Sequence, residues 1–288
     1  MQTAEQKPGS RRRRPFWKRT LYCLLLVYVG WCATLYFYQE HLIFPGAFIR
    51  GPAARHVDPQ TIIMPLNLPG GGQVESWFQP APTASAAHPG PAVIFFHGNA
   101  ELIDYQDDIT LGYHQLGYSV LLPEYRGFGR SAGEPSQEGI VEDAVQLYDQ
   151  LRARPEVDPA RIIIHGRSLG GGFAAQLALK RRPVALVLES TFTSAAQMAY
   201  KYGVPQFLVK YPLRTDQVLP QLSCPLLLFH GITDTIIPVQ HGRRLHELVP
   251  NAVYIEYPCG HNDMPGPENE RDYWAQIRNF LSQAQTIK

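Results

Sequence analysis

The chain has 288 residues, 45% hydrophobic and 18% charged, an ordinary globular composition that excludes a disordered chain or a biased fibre. Its net charge is +1, but seven basic residues against Glu5 leave residues 1–19 at +6, so the rest carries −5. A mildly acidic body has no field for gripping nucleic acid, and no period of about 20–50 residues repeats to suggest a solenoid.

Residues 1–19 form a basic tail. Directly after it, "TLYCLLLVYVGWCATLYFY", 20–38, holds no charge over 19 residues, the length of about 18–20 residues that crosses a bilayer core. Trp17, Trp31, Tyr36, Phe37 and Tyr38 are residue types that settle at a membrane interface. The arginines ahead of the run predict a cytoplasmic N-terminus, with everything after Gln39 outside the cytoplasm. A cleaved signal would have a shorter apolar region and a small-residue cleavage site, whereas this run ends in bulky aromatics. The expectation is a single-pass anchor, a connecting segment over 39–59 and a body over 60–288 whose size suits one large α/β domain as well as two smaller ones. Cys23 and Cys32 fall in the anchor. Cys224 opens one apolar strand and Cys259 closes the next, at opposite ends of a parallel pair and beyond disulfide reach, so both are expected as free thiols.

In the body, "TIIM" (61–64) and "GQVESWFQP" (72–80) predict a first pair of strands, followed by a Pro/Ala/Ser loop over 81–91. "AVIFFHG" (92–98) is a buried strand by its length and β-rich content. Residues 102–116 place Ile109, Tyr113 and Leu116 at helical spacing, and "YSVLLP" (118–123) is a strand. Ser136 is placed to cap a helix over 136–152 with Ile140, Ala144, Leu147 and Leu151 on one face. "RIIIHG" (161–166) is a strand and the small-residue run 169–180 a helix. "VALVLES" (184–190), "PLLLFHG" (225–231) and "AVYIEYP" (252–258) are strands. A final helix near 270–284 presents Tyr273, Ile277, Phe280 and Leu281. Strands without polar alternation, separated by amphipathic helices, predict an α/β fold with a mostly parallel sheet covered on both faces. In such sheets functional groups gather at the carboxyl ends of the strands.

The pattern G-x-S-x-G occurs twice, around Ser131 and around Ser168. A nucleophilic serine needs its oxygen held out at a sharp strand-to-helix turn, with glycines on either side so that strand and helix can approach. Ser168 has that setting: a strand before it, then Gly170, Gly171, Gly172 and a helix whose N-terminus offers free N–H groups. Ser131 lacks it: five residues of loop separate its motif from the strand ending at Pro123, and Gly133-Glu134-Pro135 follows where a helix would have to begin. A phosphate-cradling loop is disfavoured by the lack of G-x-x-x-x-G-K-[ST] or G-x-G-x-x-G.

A serine nucleophile needs a base of near-neutral pKa, and His261 sits just past the last strand in "PCGHND". The base needs a carboxylate to hold its tautomer, and Asp234 sits just past the preceding strand in "HGITDTIIP". Glu189 and Asp263 are the reserve acids, Asp263 standing too close in sequence to His261 to orient it. The expected donors for the developing oxyanion are the backbone N–H groups of Leu169, directly after the serine, and Asn99, after "VIFFHG". His97 is expected to brace that loop, and His165 and His230 to be satisfied core groups. No H-E-x-x-H or Cys/His ligand spacing suggests a metal, and no cofactor is expected.

With "FFHGNA", "EYRGFGRSAGEP", "HGRSLGGG", "HGITDTIIP" and "GHND" in view, the chain resembles the α/β-hydrolase superfamily from about residue 60 to the end. It is most similar to the branch of single-pass, membrane-anchored hydrolases that includes abhydrolase-domain proteins. The resemblance implies Ser168 as nucleophile, His261 as base, Asp234 as orienting acid, and Asn99 and Leu169 as oxyanion donors. It also implies a short lid over about 192–222 and, for some members, thioester cleavage. The expected activity is a serine hydrolase acting on carboxylic esters or thioesters, of lipid or otherwise acylated substrates. A serine peptidase or amidase on the same fold is the alternative, and a non-catalytic tethered binding module is a third reading.

Overall fold

The structure is a computed structural model that describes residues 16–49, 51 and 59–284. Most of the basic tail (1–15) and most of the second half of the connecting segment (50 and 52–58) lie outside the described residues, as do residues 285–288.

The first described element is α1, Phe16–Ile43, a 28-residue helix. By length and composition it can cross a membrane, with a mean hydropathy of 1.7 over its most apolar 18 residues. It overruns the 20–38 run because residues 16–19 and 39–43 hold no proline or glycine to stop it. It ends at Ile43 because Pro45 drives the preceding residue out of helical geometry; Phe44 has φ −121° and ψ 52°. The described chain divides into one unit ending at Gln39 and a second beginning at Glu40.

The second unit starts with a short 3₁₀ turn, Pro45–Phe48. In chain order there follow β1 (Ile62–Ile63), β2 (Leu66–Asn67), β3 (Gln73–Val74), β4 (Ser76–Gln79), β5 (Gly90–Phe96), α2 (Asp107–Gln115) and β6 (Ser119–Pro123). Next come α3 (Gln137–Arg152), β7 (Val157–Arg167), α4 (Leu169–Lys180), β8 (Leu186–Glu189), α5 (Ala195–Tyr200) and α6 (Thr215–Val218). The chain closes with β9 (Leu226–Gly231), α7 (Gln240–Leu248), β10 (Val253–Tyr257) and α8 (Glu270–Ala284).

Eight strands make one sheet in the order β1-β4-β6-β5-β7-β8-β9-β10. β1 and β4 join antiparallel, and every pairing from β6 to β10 is parallel. β2 and β3 form a separate two-stranded ribbon. The strands show no polar alternation because both faces are covered. Ile94 and Phe96 join one core layer with Leu147 and Leu151 of α3 and Phe173 of α4. Val93 and Phe95 face the other layer with Tyr113 of α2 and Tyr273, Ile277 and Phe280 of α8. This is the α/β-hydrolase architecture, and most predicted strands and helices fall where their patterns put them.

Two helices differ from what their sequence patterns suggest. The helix expected over 102–116 begins as a 3₁₀ turn, Ile103–Tyr105, before α2 starts at Asp107. The helix α7 has no apolar stripe to announce it: of "QHGRRLHEL" only Gly242 and Leu245 are buried. The insertion over 192–222 is a chain of short helical turns, α5, a 3₁₀ turn at Gln206–Leu208, α6 and another at Leu219–Gln221. Ser194 caps α5, its Oγ accepting from Gln197 N at 3.0 Å.

β5 sits between β6, the next strand in the chain, and β7, the one after that. The strand order therefore reverses between β5 and β7, where Phe96 pairs with Gly166. Ligand crevices open at such switch points, beyond the carboxyl ends of the strands. The loops carrying Asn99 and Ser168 leave from those two strands.

Candidate active site

Ser168 stands between the end of β7 and the first residue of α4 with φ 53° and ψ −118°. A non-glycine residue held there costs about 1–3 kcal/mol and persists only when its surroundings fix it. Here Ser168 N donates to Glu189 O at 2.8 Å, while Ser168 O accepts from Gly171 N at 3.1 Å and Thr191 Oγ1 at 2.8 Å. The flanking glycines let strand and helix close on each other. A β-carbon on Gly166 would lie 2.5 Å from Gly170 O, and one on Gly170 would lie 2.1 Å from Phe96 O. The G-x-S-x-G spacing follows from those two approaches.

The loops after β9 and β10 bring the partners in. A β-carbon on Gly231 would lie 2.5 Å from Cys259 O, so glycine there lets the two loops run side by side. His261 Nε2 lies 3.0 Å from Ser168 Oγ, and His261 Nδ1 lies 2.6 Å from Asp234 Oδ2. A carboxylate can only accept, so Nδ1 donates to Asp234 and Nε2 faces the serine hydroxyl. Asp234 is fixed in turn: its Oδ1 accepts from Ile236 N at 2.9 Å and Ile237 N at 2.8 Å. Burial alone would raise its pKa. Hydrogen bonding from His230 and His261, the His261 charge and the Ile237 N–H outweigh that and hold the carboxyl well below the usual carboxylate range.

His230, expected as a satisfied core group, is one and more. Its Nε2 donates to Ile237 O at 2.8 Å and stands 3.5 Å from Asp234 Oδ2. The four-residue spacing from His230 to Asp234 across the end of β9 was the available signal.

The N–H groups of Leu169, directly after the serine, and Asn99, in the loop after β5, have no acceptor among the described residues. Gly98 N donates to Glu101 Oε2 at 3.2 Å. His97 Nδ1 donates to Gly98 O at 2.8 Å, and its Nε2 donates to Glu124 Oε1 at 2.8 Å. Glu124 also accepts from Ile103 N at 3.2 Å and Tyr125 N at 3.1 Å. Glu124 received no role from sequence reasoning, because nothing in "LLPEYRG" distinguishes a buried carboxylate from a loop charge.

The remaining candidates stand elsewhere. Ser131 Oγ accepts from Glu75 N at 2.9 Å, and the neighbouring Arg130 is ion-paired with Glu75 at 3.1 Å and Asp104 at 2.9 Å. Glu189 accepts from Arg167 Nε and Tyr273 OH, each at 2.7 Å. Burial would raise its pKa, but the Arg167 charge, His165 with its Nε2 3.6 Å away, and the Tyr273 hydrogen bond hold it at about 2. Asp263 Oδ2 accepts from Gly260 N at 3.0 Å. Cys224 and Cys259 are free thiols, and burial pushes both up to about 11. Among the described residues no group of three His, Cys, Asp or Glu side chains is placed to hold a metal ion.

A family model described as serine aminopeptidase, S33, matches residues 87–212. The α/β-hydrolase domain-containing protein WAV2 of Arabidopsis thaliana is 32% identical over 67% of this chain and 70% of its own. The chain belongs to the α/β-hydrolase superfamily, among its abhydrolase-domain proteins. Within that family the lysophosphatidylserine lipase ABHD12 of Macaca fascicularis is 31% identical over 63% of this chain, which spans half of that relative's length. The Pyrococcus furiosus esterase Pf2001 shares the α/β-hydrolase fold with a TM-score of 0.62 at 18% identity, over 82% of this chain and 97% of its own.

Proposed function

We propose that this α/β hydrolase is a membrane-anchored serine hydrolase that cleaves carboxylic esters or thioesters through an acyl-enzyme. The observation that carries the reading is the continuous relay from Ser168 Oγ to His261 at 3.0 Å and on to Asp234 at 2.6 Å, with the serine on a strained turn. Ser168 Oγ attacks the acyl carbon while its proton passes to His261 Nε2. Asp234 stabilises the imidazolium so formed. The carbonyl oxygen becomes an oxyanion and is received by the N–H groups of Leu169 and Asn99. His261 then gives the proton to the departing alcohol or thiol, and water, activated by the same imidazole, releases the acid.

Lipid esters are the favoured substrates. ABHD12 is named for a lysophospholipid, and the insertion carries exposed Tyr200, Tyr202 and Phe207, suited to an amphiphilic acyl chain. The apolar helix α1 and the basic residues before it support an anchor with the hydrolase domain outside the cytoplasm. A peptide-cleaving reading is favoured by the description of the matching family model. An aminopeptidase needs a spare carboxylate for the substrate's ammonium group, and Glu101, beside the loop, already accepts from Gly98 N and Gln106 Nε2.

The test is the detergent-solubilised full chain assayed on short and long acyl p-nitrophenyl esters, acyl thioesters, lysophospholipids and peptide amides. A fluorophosphonate probe is run in parallel. Ester or thioester turnover together with probe labelling that Ser168→Ala abolishes is expected. Turnover of amides alone would reject the ester reading, and labelling that persists in Ser168→Ala would reject the serine.

A further inference from the structure

The connecting segment expected over 39–59 is, in its first residues, built into the hydrolase domain. Phe44 is fully buried, its ring 6.5 Å from that of Phe128 and 5.4 Å from that of Tyr211. Ile43 and Ala47 pack on the same core layer. Gly46 N donates to Asn99 O at 2.9 Å. A β-carbon on Gly46 would lie 2.1 Å from the Phe128 ring and 3.0 Å from Asn99 O, so only glycine lets the backbone come this close. Glu40 Oε1 accepts from Lys210 Nζ at 3.0 Å and Tyr211 OH at 3.2 Å, which ties the start of the same stretch to the insertion.

Asn99 is consequently held through the peptide units on both of its sides. In the unit shared with Gly98, the carbonyl accepts from His97 Nδ1 at 2.8 Å. A trans peptide is planar with its N–H opposite its C=O, so pinning Gly98 O aims the Asn99 N–H away from His97. In the unit shared with Ala100, the carbonyl accepts from Gly46 N. With both planes fixed, φ and ψ of Asn99 cannot drift. The His97 clamp comes from the body, and the second clamp comes from the stretch that follows the apolar helix.

We propose that Phe44–Phe48 is a strap that positions the oxyanion loop, with Gly46 as a positioning residue acting through Asn99. This rests on the reading of Asn99 N–H as an oxyanion donor. A donor displaced by about 1 Å binds the ester nearly as before but the developing charge poorly, which lowers kcat rather than raising KM. The segment that links the anchor to the domain is thereby part of the machinery that sets turnover.

The experiment uses the full chain in detergent with a soluble short-chain p-nitrophenyl ester. Gly46→Ala pushes the strap off Phe128 and Asn99 and should lower kcat by roughly 100-fold, with KM within about twofold. The fluorophosphonate labelling rate should fall in parallel. Because that variant can fail to fold, a second one replaces the residue 46 amide by an ester, with glycolic acid at position 46. This deletes the N–H and adds no side-chain atom. It should lower kcat by about tenfold or more, leaving KM unchanged and the melting temperature within a few degrees. A kcat within twofold of wild type in the ester variant overturns the strap. A wild-type chain that neither turns over esters nor labels overturns the hydrolase reading and this inference with it.

Discussion

His97 Nε2 and Glu124 Oε1 lie 2.8 Å apart, each side chain 1% exposed, directly behind the loop that carries Asn99. The other ring nitrogen of His97 meets the Gly98 carbonyl. Both acceptors lack a hydrogen to give when Glu124 is ionised, so both ring nitrogens must donate and His97 is an imidazolium. Burial alone would lower its pKa. The Glu124 charge and hydrogen bond, the Glu101 charge and the Gly98 carbonyl outweigh burial and raise it.

That shift gives stability a definite pH dependence. A histidine whose folded pKa exceeds its unfolded value of about 6.5 binds its proton more tightly in the native state. Its contribution is therefore fully present below about pH 6.5 and is lost as pH rises through the folded value. Breaking a buried pair costs about 3–5 kcal/mol, so His97→Gln should be destabilised by that order at pH 6. The gap to wild type should narrow at higher pH. Urea denaturation of both proteins between pH 5.5 and 9 reads the difference, and an identical pH slope in the two would refute the charged assignment.

The two serines of the repeated motif should separate cleanly. Ser168→Ala is expected to lower kcat by about 10⁶-fold, as loss of the nucleophile does in a subtilisin triad, with little change in melting temperature. Ser131→Ala leaves the Glu75 N–H without the acceptor it has at 2.9 Å. It should cost about 1–3 kcal/mol of stability while kcat/KM stays near wild type. Thermal melts beside ester kinetics give both answers, and a catalytic loss confined to Ser131→Ala would reverse the assignment.

The helix N-terminus at Ser168 was legible because each requirement of the turn leaves a mark in one short stretch: apolar strand, glycine, serine, glycine, small-residue helix. Replacing Gly170 by alanine tests the reason. Its β-carbon would meet the Phe96 carbonyl at 2.1 Å, a clash with backbone that no side-chain rotation relieves. The expected loss is more than about 4 kcal/mol, visible as a large fall in melting temperature or failure to accumulate. A stable, fully active Gly170→Ala would show that the spacing has another cause.

What stayed hidden has a common physical form. Glu124 acts through burial, and burial is set by the packing of strands far apart in sequence. Gly46 acts through its backbone N–H and through the space its missing side chain leaves, and a lone glycine after Pro45 reads in the sequence as an ordinary turn. The helix α7 escaped because its buried face is only Gly242 and Leu245, too little for a periodic pattern. Contacts made by side-chain chemistry at fixed strand ends could be anticipated, whereas contacts made by backbone groups or by tertiary burial could not.

The two acids that sequence reasoning held in competition now make separable predictions. Asp234 faces His261 Nδ1 at 2.6 Å, while Glu189 is engaged by Arg167 and Tyr273. Asp234→Asn presents an amide in place of an acceptor, favours the wrong imidazole tautomer and should lower kcat by about 10⁴-fold, as in chymotrypsin-type enzymes. Glu189→Gln leaves the Arg167 charge buried beside a neutral amide. It should destabilise the fold by about 3–5 kcal/mol and change kcat by less than about tenfold when assayed below its melting temperature. Both carboxyls are held below their unfolded values. Their stabilising contributions are therefore present above about pH 4 and are lost only as pH falls through the folded values. Ester kinetics and melting curves of the two variants at pH 7 decide the matter: a tenfold or smaller effect of Asp234→Asn, with a far larger one at Glu189→Gln, would transfer the orienting role to Glu189.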